Sequence, residues 1–171
     1  MIDLMSFFPE INDIENTDIR NKTLNAWEQA VEEGGWQRID NIPFTLLIPD
    51  TKHTLVNHTK IVYAMAVAAG LKREDIDMDV LRSGALLHDV GKLLEYEYLE
   101  GRFVKSEHGR RVRHPVSGYN IALKQGLPLR IAHIILAHSK EGEYVKRIPE
   151  AIIVHHADFI DFEIEKFKQG M

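Results

Sequence analysis

Helical start and stop signals follow one another along almost the whole chain, and strand signals occur in a single place. The segment "NTDIRNKTLNAWEQAVEEGG" opens on cap-forming Asn16 and Thr17, carries Ile19, Leu24, Trp27 and Val31 at helical spacing, and stops at Gly34 and Gly35. "LVNHTKIVYAMAVAAG" is a second helix closed by Gly70, and "DVLRSGALLHDVGKLLEY" reads as a third. "HPVSGYNIALKQG" and "LPLRIAHIILAHS" are a fourth and fifth, separated by Gly126 and Pro128. "IPEAIIVHHADFIDFEIEKFKQ" is the last, with Pro149 near its first turn. Between the first two helices, "GWQRIDNIPFTLLIPDTKHT" holds two prolines and no period, so it is a connecting segment. Only "EYEYLEGRFVKSE" flanks a turn, at Glu100 and Gly101, with aromatic and β-branched residues, and it predicts a small hairpin. The fold class is therefore all-α, a compact helical bundle with at most one small β-hairpin.

With 171 residues, 44% of them hydrophobic, the chain suits one domain with a sizeable core. It has no cysteine, which excludes disulfides, thiolate metal sites and cysteine nucleophiles. Its start lacks the pattern of a signal peptide, and its longest uncharged apolar stretch, "IVYAMAVAAGL", is too short to span a bilayer. A cytoplasmic protein without membrane partners is the expectation. The formal net charge of −5 argues against an extended nucleic-acid surface.

Nine histidines are the unusual feature. In "GALLHDVGKLLEY", His88 and Asp89 stand side by side after an apolar run, with Lys92 one turn later. A carboxylate and an imidazole that enter a core need a partner, and a cation is one of the few that satisfies both. His58, His114, His138 and Asp158 lie on four further helices, and a bundle can bring such inward-facing side chains together. Six candidate ligands exceed the four of a closed structural zinc site. Two metals sharing a carboxylate fit better.

The order His58, then His88-Asp89, then His114, His138 and Asp158, with Gly91 and Lys92 completing "HDVGK", resembles the HD-domain superfamily of metal-dependent phosphohydrolases. The likeness runs from about Leu55 to Asp161. It implies a single HD domain over residues 1–171, with 1–50 an N-terminal helical extension and connecting segment and 55–161 the metal-binding core. By resemblance His58, His88, Asp89 and Asp158 hold one metal, and Asp89 reaches across to a second completed by His114 and His138. The implied function is cleavage of a phosphate mono- or diester, of a nucleotide or short oligonucleotide, by a metal-activated hydroxide at a dinuclear site.

Within the superfamily, "ILAHSKEG" followed by "PEAIIVHHADFID" is most similar to the HD part of bacterial 3'-to-5' exoribonucleases. Those enzymes tend to carry a second histidine where this chain has Ser139, and a separate OB-fold for which this chain has no room. A minority of proteins with the same fold and ligand order are di-iron oxygenases, and a non-catalytic nucleotide-binding module is a third reading. Nitrogen and oxygen ligands suit one or two divalent ions among manganese, iron, cobalt, nickel and magnesium.

The expected partner is a small phosphorylated substrate. Asp89 and Lys92 are the candidate catalytic residues. Lys92, Arg110, Arg111 and Arg113 are the candidate substrate contacts, since "KSEHGRRVRHP" concentrates cations before His114 and guanidinium forks match phosphate oxygens. His53, His108 and His133 read as hydrogen-bonded core or boundary residues. Asp161 reads as a solvated or capping residue, and Lys140, Lys146 and Arg147 as facing water. His155 shares a helix face with Asp158, as a ligand or a partner of one, and His156 points elsewhere. Trp27 and Trp36 are expected to pack over the bundle.

Overall fold

The computed structural model describes residues 2–49 and 51–171. Helix α1 (Leu4–Phe7) and a 3₁₀ turn (Pro9–Asp13) precede α2 (Thr17–Glu33). The Asn16 side chain accepts from the Asp18 and Ile19 amides, at 3.0 and 3.1 Å, and so caps α2 as its sequence predicts. After the connecting segment come α3 (Leu55–Gly70) and α4 (Met78–Leu87), capped by the side chains of Thr54 and Asp77. Short α5 (Lys92–Glu95) leads into strands β1 (Tyr96–Leu99) and β2 (Arg102–Lys105). These pair antiparallel, with Leu99 opposite Arg102 and both turn residues, Glu100 and Gly101, at positive φ. Then follow α6 (Glu107–Arg111), α7 (His114–Lys124), α8 (Leu129–Ala137), a 3₁₀ turn (Lys140–Tyr144) and α9 (Pro149–Lys168). The all-α class with one hairpin is thus what forms.

Two elements differ from their sequence reading. The stretch read as one helix through "LLHDVGKLLEY" breaks after Leu87. Val90 and Lys92 donate three residues back, to Leu87 and Asp89 carbonyls, which makes a tight turn of residues 88–91. A Cβ on Gly91 would stand 2.1 Å from the His114 carbonyl oxygen, so the start of α7 packs directly on this turn and only glycine fits. The second difference is α6, a short helix over "EHGRR" that the sequence reading did not assign.

One buried apolar cluster runs from Leu4 to Ala157 and includes both Trp27 and residues of α3, α4, α8 and α9. Trp27 stacks on Phe8, with ring centroids 4.5 Å apart, and donates to the Leu86 carbonyl at 3.2 Å. Trp36 donates to the Leu93 carbonyl at 2.7 Å. Both indoles pack on the bundle as expected, and they brace the backbone on either side of His88 and Asp89. Each buries a large surface while satisfying a carbonyl that the broken helix leaves free. Among the described residues, no helix is long and apolar enough to cross a membrane.

Candidate metal centre

Five segments deliver six side chains to one point. His58 comes from the second turn of α3, His88 and Asp89 from the turn after α4, His114 from the first residue of α7, His138 from the C-cap of α8, and Asp158 from α9. His58, His88, Asp89, His114 and His138 are buried. The ligand atoms of His58, His88, Asp89 and Asp158 all lie within 4.8 Å of one another, and so do those of Asp89, His114 and His138. Asp89 belongs to both groups. Its Oδ2 is 3.4 Å from Nε2 of both His58 and His88, and its Oδ1 is 3.2 Å from His114 Nε2 and 3.6 Å from His138 Nε2.

The far nitrogen of each histidine is already engaged. Nδ1 donates to Asp161 Oδ2 from His58 (2.6 Å), to the Ala85 carbonyl from His88 (2.7 Å), to Glu95 Oε2 from His114 (2.8 Å), and to the Ile135 carbonyl from His138 (2.7 Å). A carbonyl only accepts, so His88 and His138 hold their protons on Nδ1 and aim an Nε2 lone pair inward. Asp89 Oδ1 faces two such nitrogens, is buried, and has no hydrogen-bond partner. An unpartnered carboxylate oxygen among imidazole nitrogens is costly as it stands and favourable around a cation. The cluster is compatible with divalent metal binding.

The surroundings divide the centre electrically. Burial pulls the His58 pKa down, but hydrogen bonds to Asp158, Asp161 and Asp89 outweigh it and lift His58 to about 10. Burial raises Asp158, and its bond to His58 reverses this, leaving it at about 2. On the other side, burial lowers His114 to about 4 despite its bond to Glu95. His88 is likewise lowered by burial. Lys92 loses to burial and gains more from Asp89, so it stays charged. Its ammonium donates to Asp89 Oδ2 and to the Phe44 carbonyl, both at 2.5 Å.

A cavity of about 510 Å³ opens over this cluster, and Asp89, Lys92, His114, His138 and Asp158 form part of its lining. Of the arginines expected at the substrate, only Arg113 reaches it, 3.4 Å from Glu141. Arg110 and Arg111 are not brought there. Helix α6 turns them to the surface, where Arg110 lies 3.8 Å from Glu97 and Arg111 pairs with Glu107 at 2.9 Å. Lys105 and Lys140 line the cavity. Arg147 does not face water either: it donates to the Ala137 and Ser139 carbonyls at 2.7 and 3.0 Å.

Several supporting residues escaped the sequence reading. Asp161 is buried and joins His58 to His53, whose Nε2 lies 2.7 Å from the same oxygen. Glu95 accepts from both the amide and the ring of His114. His155 donates to the His138 carbonyl at 2.6 Å and is a partner of a candidate ligand, while His156 is exposed. His108 bonds Ser117 at 2.7 Å and His133 accepts from the Ile148 amide at 3.3 Å, as ordinary satisfied histidines. The available signal was spacing: Asp161 and Glu95 each stand three residues after a residue already singled out.

A helical bundle that gathers histidines from separate helices around one aspartate is an architecture compatible with a divalent metal centre. The sequence model of the HD domain family matches residues 55–163, and the chain belongs to that family, whose superfamily is generally one of metal-dependent hydrolases. The chain is similar to a tRNA (cytidine(56)-2'-O)-methyltransferase of Thermoplasma volcanium, with 30% identity over 118 residues, 61% of this chain and 30% of that protein. It is also similar to a Ribonuclease Y of Thermosipho melanesiensis, at 34% over 106 residues, 61% of this chain and 18% of that protein. A Ribonuclease Y of Pseudothermotoga lettingae is 35% identical over 96 residues, 55% of this chain and 16% of that protein. The chain thus spans less than a third of the length of these relatives. No solved structure matches it significantly.

Proposed function

We propose that this chain is a metal-dependent phosphohydrolase that cleaves a phosphate mono- or diester of a nucleotide or short oligonucleotide. The observation that carries the reading is Asp89, whose two oxygens stand between two sets of imidazole nitrogens on the floor of a cation-lined cavity. His58, His88, Asp89 and Asp158 would hold one divalent cation, and Asp89, His114 and His138 a second. Such a pair supplies Lewis acidity to a phosphoryl group and makes water a nucleophile near neutral pH.

The rest falls to the chain's own groups. Asp161 and Glu95 orient His58 and His114 and fix which nitrogen faces inward. Lys92 neutralises part of Asp89 and keeps one N–H free for an anion above it. Lys140 adds positive charge to the cavity wall, beside Arg113 and Lys105, which are paired with Glu141 and Glu95. Two of the relatives are named ribonucleases, which supports a nucleotide over other phosphate esters.

The test begins with metal quantification on protein purified without chelators. Nucleoside monophosphates, cyclic nucleotides and short oligonucleotides are then screened with the metal found. Release of phosphate or nucleotide that disappears in Asp89→Ala is expected. No ester cleavage with any divalent ion, together with oxygen consumption by a coloured iron preparation, would assign di-iron oxygenase chemistry instead.

A further inference from the structure

The connecting segment before α3 forms part of the cavity wall, although it precedes the residues matched to the family. It is pinned as a strap at its base. Phe44 N donates to the His53 carbonyl at 3.1 Å, and Leu55 N donates to the Ile42 carbonyl at 2.8 Å, around a bridge between Pro43 and Thr54. Two further pins tie it to the candidate metal centre. The Phe44 carbonyl accepts from Lys92, and His53 bonds Asp161, which holds His58. The Phe44 ring lies 5.0 Å from the His58 ring and 6.1 Å from that of Phe162.

Beyond these pins the strap presents Leu46 and Leu47 to the cavity, with Leu47 69% exposed. Phe159 and Phe162 line it from α9. These two come from the helix that also supplies Asp158. The lining is therefore mixed. Asp89, Lys92 and His114 share it with apolar and aromatic side chains, and Lys105 and Arg113 lie in it paired with Glu95 at 3.2 Å and Glu141 at 3.4 Å. At the rim, Lys140 and Lys166 have no ion-pair partner among the described residues, so their charge is available to an anion.

We infer that the strap residues Leu46 and Leu47, with Phe159 and Phe162, form a slot for the base of a single nucleotide whose phosphate lies over Asp89 and Lys92. The inference rests on the phosphohydrolase reading for the phosphate end, and on this apolar wall for the base. Bases stack on aromatic side chains whatever their sequence, so the slot selects for a base and not among bases. The volume, about 510 Å³, lies within the roughly 300–1,000 Å³ that encloses a drug-sized ligand. That accommodates one nucleotide unit, free or at the end of a strand. The two pins through Lys92 and Asp161 make the slot's position depend on the candidate metal centre, so base and phosphate are held at a fixed offset.

The probe pair is adenosine monophosphate and ribose 5-phosphate, which share the phosphate and sugar and differ in the base. Calorimetry on the manganese-loaded protein should give about tenfold tighter binding of the nucleotide, the low end of one stacked base. Leu47→Asp, at an exposed position where folding is not at issue, and Phe162→Ala should both bring that ratio toward one. A ratio near one in the parent protein, or one that persists in both variants, overturns the slot. Adenosine itself should bind weakly and lose that binding in Phe162→Ala. If it does so in a protein that cleaves no ester, the slot stands and the hydrolase reading falls. Equal kcat/KM on the two phosphates would do the reverse. A single-stranded oligonucleotide of about ten residues with a terminal phosphate distinguishes the sources: cleavage from its end supports the slot, and internal cleavage alone contradicts it.

Discussion

The two halves of the candidate metal centre share Asp89 and differ in almost everything else. The half on α3 and α9 is rich in anions: His58 is held by Asp161 at 2.6 Å and lies 3.0 Å from Asp158, with His53 behind them. In the half on α7 and α8, burial keeps the His114 imidazole neutral. His114 leans on Glu95, and His138 on a backbone carbonyl. Without a metal, the first half stores a proton on His58, and the second stores none on His114. The difference teaches that equal ligand chemistry need not give equal sites. On the proposed reading, the first half would hold a cation more tightly than the second.

The harshest way to break the comparison is to remove what the halves share. Asp89→Ala should strip both cations and lower turnover of a nucleoside phosphate by about 10³, at or beyond the loss of one electrostatic contact. Metal content and rate are measured on the same preparation. Retention of one full metal equivalent would show that Asp89 serves a single ion.

Lys92→Met comes next. The ammonium sits on Asp89 Oδ2 and on the Phe44 carbonyl, so on the proposed reading its loss would remove a cation from the phosphate's side of Asp89. Turnover should fall by about 10² to 10³ while the metal stays bound. A matching loss of metal would make Lys92 a group that merely orients Asp89.

Smaller changes separate the halves. Asp161→Ala should weaken the cation of the His58 half, and Glu95→Ala that of the His114 half, each by about 10- to 100-fold, the usual cost of losing the partner that orients a ligand. Titration of each variant with manganese checks this. If either change weakened both ions equally, the halves would be one indivisible site.

The ordered candidate ligands were legible because they form a set spread over separate helices, each bounded by ordinary caps and glycines. Asn16, Thr54 and Pro149 begin helices as their chemistry requires. What lay hidden was set by contacts between distant segments. At the turn after Leu87, α7 packs directly on Gly91, and no local period encodes that contact. Glu95, His53 and Asp161 are common residues that acquire a role only once a histidine ring lies beside them. The basic run "RRVR" misled for the same reason. A helix of five residues, Glu107–Arg111, points Arg110 and Arg111 away and leaves Arg113 at the cavity.

Proton accounting tests the unequal halves most directly. His58 is raised to about 10, above its unfolded value of about 6.5. The stability its proton gives the metal-free protein is therefore full below pH 6.5 and is lost as pH rises through 10. A cation entering that half at pH 8 must displace this proton. His114, lowered to about 4, is already neutral at pH 8 and releases none. Calorimetric manganese titration at pH 8, repeated in two buffers of different ionisation enthalpy, should resolve a tight event that releases about one proton and a weaker event that releases none. The weaker event should vanish in His138→Ala. A single event, or equal proton release at both, would contradict a centre whose halves differ in the proton that His58 stores and His114 does not.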